Sequence, residues 1–307
     1  MAKINSTIQN TLVCLLAGGH GERLYPLTRE RAKPAVPFGG MYRIIDITLS
    51  NCVNSELRRI FVLTQYKALS LNRHIRNGWN IFSSELGEFI DVLSPMMRVG
   101  GYWYRGTADA IYQNLYSVGS EPCKYIMILS GDHVYKMNYK LMLRQHVDSG
   151  ADVTIATIEF NRTEARHFGV CEIGPDNRIV GWEEKPENPK PSPRDPTKSF
   201  VSMGVYCFNR DFLIKVLNED AANPESSHDF GKDLIPKLID KHQVYAYSFV
   251  DENHKEAVYW RDIGTIEAYY DANMDLVSVS PVFNLYDARW PIRTYQRQHP
   301  PAKFVFA

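Results

Sequence analysis

The residues whose types and spacing could do chemistry fall in a few short stretches. The first is Gly18-Gly19-His20-Gly21-Glu22-Arg23, directly after an apolar run at 11–16. A strand that runs into glycines leaves backbone N–H groups at the carboxyl edge of a sheet with no Cβ in the way, and such a nest binds phosphate. The spacing is neither GxGxxG nor GxxxxGK[ST], so neither a dinucleotide fingerprint nor a P-loop is met. Alone, the turn reads equally well as a plain tight turn after a strand. Arg23 and Lys33, the latter in Arg31-Ala32-Lys33-Pro34, add a planar fork and a point charge for phosphate oxygens. Two cations beside a glycine nest suit a triphosphate or a departing pyrophosphate. Asp132, in Leu129-Ser130-Gly131-Asp132-His133, stands where a hard metal can be held against phosphate, or where it can cap the next helix. Asp262, in Trp260-Arg261-Asp262-Ile263-Gly264, follows another strand-like run. Together the two aspartates point to a Mg²⁺ site for phosphoryl or nucleotidyl transfer, although spacing alone does not bring them together. In Glu183-Glu184-Lys185-Pro186, Lys185 can bind a second anion and Glu184 can accept sugar hydroxyls; the alternative is a solvated charge run.

These residues need elements to position them. Apolar, β-branched runs at 11–16, 60–63, 125–129 and 153–158 read as strands, separated by segments of helical period. Residues 107–118 form the clearest helix, with Thr107 available as cap and Ala108, Ile111, Tyr112 and Leu115 on one face. Residues 139–147 predict another, stopped near Gly150. Strands alternating with helices imply an α/β fold with a mostly parallel sheet and helices on both faces, whose ligands lie at the carboxyl ends of the strands. Residues 170–173 and 179–182 predict a hairpin about Gly174-Pro175-Asp176-Asn177, and 185–199, with five prolines, a surface loop. Residues 201–208, 244–250 and 258–260 read as further strands. Residues 230–241 read as helical despite Pro236, and 265–276 as a helix with Ile266, Tyr269, Tyr270 and Met274 available for packing. Past Ser278 the prolines suggest an extended connector.

Composition narrows the function classes. Thirty-five basic and thirty-five acidic residues cancel, which disfavours nucleic acid as a partner. No run approaches 18 apolar residues and the N-terminus lacks a signal peptide, so the reading is a cytoplasmic protein without a membrane partner. Cys14, Cys52, Cys123, Cys171 and Cys207 include no CxxC pair and read as reduced and buried. His20, His74, His133, His146, His167 and His228 show no zinc-ligand spacing and read as surface or core histidines.

LLAGGHGERLYPLT…RAKPAVPFGG resembles the signature of the sugar-1-phosphate nucleotidylyltransferases. More narrowly, the chain is similar to the bacterial glucose-1-phosphate adenylyltransferases. The narrower likeness rests on YRIIDITLSNCVNS from Tyr42, WYRGTADAIYQN from Trp103, LSGDHVYKMNY from Leu129, SMGVYCF from Ser202, SSHDFGKDLIP from Ser226 and YWRDIGTIEAYYDANMDL from Tyr259. The resemblance implies a Rossmann-like, glycosyltransferase-A-like mixed sheet and Mg²⁺-dependent transfer of AMP from ATP to α-D-glucose 1-phosphate. The products are ADP-glucose, for glycogen-type glucan, and pyrophosphate. It implies that Gly18, Gly19 and Gly21 cradle the nucleotide phosphates, that Arg23 and Lys33 hold the β- and γ-phosphates, and that Gln65, Tyr104, Gly106 and Thr107 lie by adenine and ribose. Asp132 and Asp262 would bind the metal. Gly169, Glu184, Lys185 and Ser202 would contact the sugar phosphate.

The resemblance also implies a homo-oligomer, a tetramer in the family, and a catalytic domain at 1–277. Residues 278–307 would then be a connector leading toward a left-handed β-helix beyond this chain. Glu30, Pro37 and Ser120 replace a Lys, a His and an Arg of the enterobacterial effector site, while Arg43 is kept, so weak response to phosphate-rich effectors is expected. A non-catalytic regulatory subunit or inactive relative, and an enzyme for another nucleotide, stay open as alternatives. Retention of Arg23, Lys33, Asp132, Lys185 and Asp262 speaks against the first.

Overall fold

The computed structural model describes residues 2–19, 21–95, 103–301 and 303–305; of the residues singled out above, His20 lies outside them. The strands are β1 (Thr11–Leu16), β2 (Pro37–Phe38), β3 (Tyr42–Arg43), β4 (Arg59–Leu63), β5 (Phe89–Leu93), β6 (Tyr125–Ser130), β7 (His133–Tyr135), β8 (Val153–Asn161), β9 (Gly169–Ile173), β10 (Ile179–Glu184), β11 (Lys198–Asn209), β12 (Val244–Ser248) and β13 (Trp260–Asp262). The helices are α1 (Ala2–Gln9), α2 (Ile44–Asn54), α3 (Leu69–Gly78), α4 (Thr107–Tyr112), α5 (Leu115–Ser120), α6 (Tyr139–Asp148), α7 (Arg162–Ala165), α8 (Arg210–Ala221), α9 (Ile235–Ile239) and α10 (Ile266–Leu276).

Nine strands form the central sheet in the order β10-β9-β11-β6-β1-β4-β5, with β8 also on β11 and β12 on β8. Strands β1, β4, β5 and β6 are mutually parallel, as are β8 and β12, while β11 runs antiparallel to β6, β8 and β9. Only β10 and β11 therefore oppose the common direction, which makes the sheet the mostly parallel, mixed one that was expected. Alternation along the buried strands feeds two cores. Val13, Leu15, Ile60, Val62, Met127 and Leu129 join residues of α1, α2, α3 and α6. Leu12, Cys14, Phe61, Leu63, Ile126 and Ile128 join residues of α4, α5, α8 and α9 on the other face.

Several elements depart from the sequence reading for physical reasons. The 107–118 helix is broken into α4 and α5, and the Asn114 amide in the gap binds the Ala110 carbonyl at 2.8 Å and the Tyr104 hydroxyl at 2.9 Å. Thr107 does not cap α4, whose first amides, Ala108 N–H and Asp109 N–H, donate to the His228 carbonyl instead. Residues 230–241 open as a π-turn (Phe230–Leu234), which places Pro236 in the first turn of α9, where its missing N–H costs nothing. On α10, Ile266 and Tyr269 pack inward, but Tyr270 and Met274 are 61% and 45% exposed. Helix α2 gave no periodic signal because both of its sides are covered. Ile45, Leu49 and Cys52 face the main core, and Ile44 and Ile47 face a third cluster with Phe38, Ile263 and Phe283.

Residues 278–301 carry no helix or strand, yet they are not a loose connector: Phe283, Trp290 and Ile292 are buried on the domain. All five cysteines are free, and among the described residues no helix is long and apolar enough to cross a membrane.

His146 gives the fold a pH dependence. Its ring is buried between the Thr154 hydroxyl (2.8 Å) and the Asn209 side-chain Oδ1 (3.3 Å), and burial pushes its pKa down to about 4. The unfolded chain takes up a proton near pH 6.5 and the folded one does not. Stability attributable to His146 is therefore present above pH 6.5 and lost as pH falls toward 4, by up to about 1.4 kcal/mol per pH unit. Denaturant titrations at pH 7, 6 and 5 should show this decline, and His146→Gln should flatten it.

Candidate active site

The centre is assembled by a ladder outside the main sheet. After β6 the chain turns at Gly131 and Asp132 into β7, which pairs antiparallel with β13 so that His133 faces Asp262 in register. Asp132 and Asp262 are thereby brought together. Neither caps a helix: Asn138 caps α6 and Thr265 caps α10. Between them lies Lys33, at the head of a 3₁₀ turn (Lys33–Ala35). Its Nζ is 2.9 Å from Asp132 Oδ2 and 2.9 Å from Asp262 Oδ1.

The electrostatics follow from this packing. Burial alone pulls an ammonium's pKa down, but Asp132 and Asp262 outweigh it and hold Lys33 above its ordinary value. Burial likewise pushes the Asp132 carboxyl up; Lys33, His133 and the Ser130 hydroxyl together overcome that and hold it well below the usual carboxylate range. His133 Nε2 lies 3.6 Å from Asp132 and 3.8 Å from Asp262. Asp132, His133 and Asp262 present ligand atoms within 4.8 Å of one another, a group able to hold a metal ion. By sequence His133 reads as a surface or core histidine. Here its ring stands edge-on to Trp260 at 5.3 Å, and its buried Nδ1 has no hydrogen-bond partner.

The glycine turn and Arg23 border this cluster. Gly21 (φ 64°) starts the turn carrying Arg23, and a Cβ at Gly21 would lie 3.1 Å from Lys33 Cβ. A Cβ at Gly264 would lie 3.0 Å from Asp262 Oδ2 and 3.1 Å from an Arg23 guanidinium nitrogen, which puts Arg23 beside the second carboxylate. A cleft of about 380 Å³ opens here, lined by Arg23, His167, Phe168, Trp260 and Asp262 among others. Gly19 has open space above it, while Gly18 packs on Gln65.

The remaining candidates form two further groups. Gln65 Nε2 donates to the Tyr104 carbonyl at 3.5 Å. Gly106 presses on the chain at 227–228: a Cβ there would stand 2.5 Å from the Ser227 carbonyl oxygen and 2.3 Å from that of His228. Thr107 Oγ1 donates to Asp229 Oδ2 at 2.9 Å and accepts from Phe230 N–H at 3.0 Å. In the other group Gly169 is paired with Glu184 across the β9–β10 hairpin, and a Cβ at Gly169 would strike Trp182 at 2.4 Å. Lys185 takes a positive φ of 49° and is mostly exposed, with Nζ 3.5 Å from Glu184. Burial, aided by Asp229, raises the Glu184 carboxyl above its ordinary pKa against the pull of Lys185.

Ser202 accepts from Gly204 N–H at 3.2 Å, where β11 shifts register and Gly204 (φ 67°) passes Ser130 and His133. Asp229 links the two groups, because it holds Thr107 and caps the turn whose Gly231 faces Glu184. The block SSHDFGKD carried that signal, but no role followed from it.

The packing of Gly106 makes one substitution costly. Gly106→Ala pushes a methyl into two backbone carbonyls, and overpacking of this kind costs roughly 1–3 kcal/mol or more. Gly119→Ala, on α5 with nothing within 4 Å, is the control and should not lower the melting temperature.

The Nucleotidyl transferase family matches residues 12–279. The chain is 65% identical over 299 residues to the glucose-1-phosphate adenylyltransferase of Koribacter versatilis (strain Ellin345), covering 97% of this chain and 72% of that protein. It is 57% identical over 300 residues to the protein of the same name from Rhodopirellula baltica, with 97% and 67% covered. Against glucose-1-phosphate adenylyltransferase 2 of Vibrio cholerae it is 55% identical over 300 residues, with 97% and 74% covered. The family match over most of the chain and these identities show that the chain belongs to the nucleotidyl transferase family.

Proposed function

We propose that this protein transfers the adenylyl group of ATP to α-D-glucose 1-phosphate, releasing ADP-glucose and pyrophosphate. The observation that carries the reading is Lys33 held between Asp132 and Asp262 beside Arg23 and the glycine turn. The choice of ATP and glucose 1-phosphate is supported by the names of the relatives. Gly18, Gly19 and Gly21 receive the phosphates, and Arg23 and Lys33 take the β- and γ-phosphates. Gln65, Tyr104, Gly106 and Thr107 form the adenine and ribose end. Gly169, Glu184, Lys185 and Ser202 form the sugar-phosphate end. Residues 1–277 are the catalytic unit and 278–307 its connector, docked on that unit through Phe283, Trp290 and Ile292. Five free thiols suit a reducing compartment such as the cytoplasm.

The donor set fits a hard divalent cation. Two carboxylates whose oxygens already converge on one ammonium offer the oxygen ligands Mg²⁺ prefers. Asp132 and Asp262 would hold it, and it would neutralise phosphate charge. The protein's own part is positioning. A phosphate monoester has its second pKa near about 6, so the sugar phosphate is already dianionic at neutral pH and needs no general base. The obstacle is repulsion between two polyanions. Arg23 and Lys33 offset it from the nucleotide side and Lys185 from the sugar side, and the fixed geometry supplies the in-line approach.

Pyrophosphate release from glucose 1-phosphate and Mg²⁺ with ATP, UTP, dTTP and GTP in parallel tests the reading. ATP-selective release supports it. Release with another nucleotide moves the base assignment, and silence with all four, from folded protein, returns weight to a non-catalytic subunit. Lys185→Ala should raise KM for glucose 1-phosphate on the order of 10–100-fold with a smaller change in kcat, since a charge-assisted contact made equally in ground and transition states is lost.

A further inference from the structure

Residues 290–295 lie as a strap along α2 and bind it turn by turn. The Asn54 amide donates to the Pro291 carbonyl (3.0 Å), Trp290 Nε1 to Asn51 Oδ1 (2.8 Å), Arg293 N–H to Ser50 Oγ (2.8 Å) and Thr294 Oγ1 to Asp46 Oδ2 (2.6 Å). The strap ends against Gly78, where a Cβ would stand 2.6 Å from that of Tyr295.

Asp46 is the unusual member. Its side chain is wholly buried, and among the described residues its ion-pair partner is His74, with no lysine or arginine side-chain nitrogen within 4.0 Å. It is held by donors from separate places: His74 Nε2 at 2.6 Å and Trp79 Nε1 at 2.8 Å on one oxygen, Arg43 N–H at 2.8 Å and Thr294 on the other. A buried carboxylate needs such donors, and a set drawn from α3, the start of α2 and the strap makes it a joint between them.

The start of α2 in turn holds the Lys33 turn. Arg43 Nη1 donates to the Ala35 carbonyl, and Ile44 N–H donates to the Val36 carbonyl at 3.2 Å. Val36 N–H closes the turn on the Lys33 carbonyl at 3.0 Å. Between the Thr294 hydroxyl and the backbone that carries Lys33 stand only Asp46 and Arg43.

We propose that Asp46 is a positioning residue for Lys33, and that the strap sets it through the Thr294 hydroxyl bound to Asp46 Oδ2. The kinetic side of this rests on the function proposed above; the geometric side does not. Lys33 meets both carboxylates at 2.9 Å, so a small shift of its turn matters, and misplacement by about 1 Å can cost on the order of 10²-fold in rate.

The test compares the full chain with Thr294→Val, which keeps the shape and removes the donor, Thr294→Ser, which keeps the donor, and Trp290→Phe, which removes a strap bond that does not reach Asp46. Two readouts are used: kcat and KM of the proposed reaction, and Mn²⁺ affinity without nucleotide, followed by electron paramagnetic resonance. A loosened Lys33 competes less for Asp132 and Asp262. Thr294→Val should therefore lower kcat roughly 10-fold with KM for glucose 1-phosphate little changed, and bind Mn²⁺ several-fold more tightly. Thr294→Ser should stay near the parent in both, and Trp290→Phe should lose melting temperature alone. The proposal is overturned if Thr294→Val loses only melting temperature, or if Trp290→Phe or Thr294→Ser changes Mn²⁺ affinity as much. If the parent turns over no nucleotide yet Mn²⁺ affinity rises in Thr294→Val alone, the positioning role stands and the function assignment falls.

Discussion

Lys33→Met should lower kcat on the order of 10²–10³-fold, the effect of removing one preorganised cation or donor from a transition state that develops charge. The same substitution should be felt before any substrate binds. Lys33 is the ammonium that satisfies Asp132 and Asp262, whose side chains are 29% and 23% exposed. Without it two like charges face each other in a confined site, and breaking a buried pair on one side costs about 3–5 kcal/mol where burial is complete, less here. The metal-free variant should melt below the parent. Added Mn²⁺ should restore the melting temperature of Lys33→Met more than it raises that of the parent, because the ammonium and the divalent cation answer the same need. A parent and variant with equal responses to Mn²⁺ would speak against Lys33 as the neutralising group.

The second large effect belongs to Asp132. Asp132→Asn keeps the shape and can still meet the Ser130 hydroxyl, but it removes the charge that faces Lys33 and His133. We expect kcat to fall by roughly 10³-fold or more, since both a ligand charge for the cation and the partner of Lys33 are lost together. A near-normal kcat would sink the metal assignment. The pH behaviour has a defined sign. The folded carboxyl titrates well below its ordinary value, so its stabilisation is complete above the unfolded pKa near 3.8 and is lost only as pH falls through that value and below. Asp132→Asn should therefore lower stability at pH 7 and narrow its difference from the parent in strong acid.

The glycine turn, Arg23, Lys33 and the two aspartates are legible as candidates because they recur together near strand ends, although each alone also has a structural reading. What the residues alone left open was their meeting. Asp262 reaches Asp132 through the short β7–β13 ladder, and short strands of two or three residues give no periodic signal. Helix α2 was invisible for the opposite reason: with apolar residues on every side and Asp46, Thr48 and Asn51 satisfied inside, it has no polar face to mark its period. The parts played by His133 and Asp229 are not legible in the sequence because they depend on neighbours far along the chain. His133 matters through Asp262, and Asp229 through Thr107, 122 positions away.

The ladder between β7 and β13 also orders events in time. The cation of the centre and its second carboxylate are 229 positions apart, and the strand that delivers that carboxylate is the last among the described residues. A chain leaving the ribosome has its glycine turn and Lys33 almost at once, long before Asp262 exists to receive the ammonium. Contacts of such long separation close late, after the loops between them have been ordered. The Lys33–Asp262 contact thus closes late, and a chain made only as far as α9 carries the glycine turn, Lys33 and Asp132 without the second carboxylate.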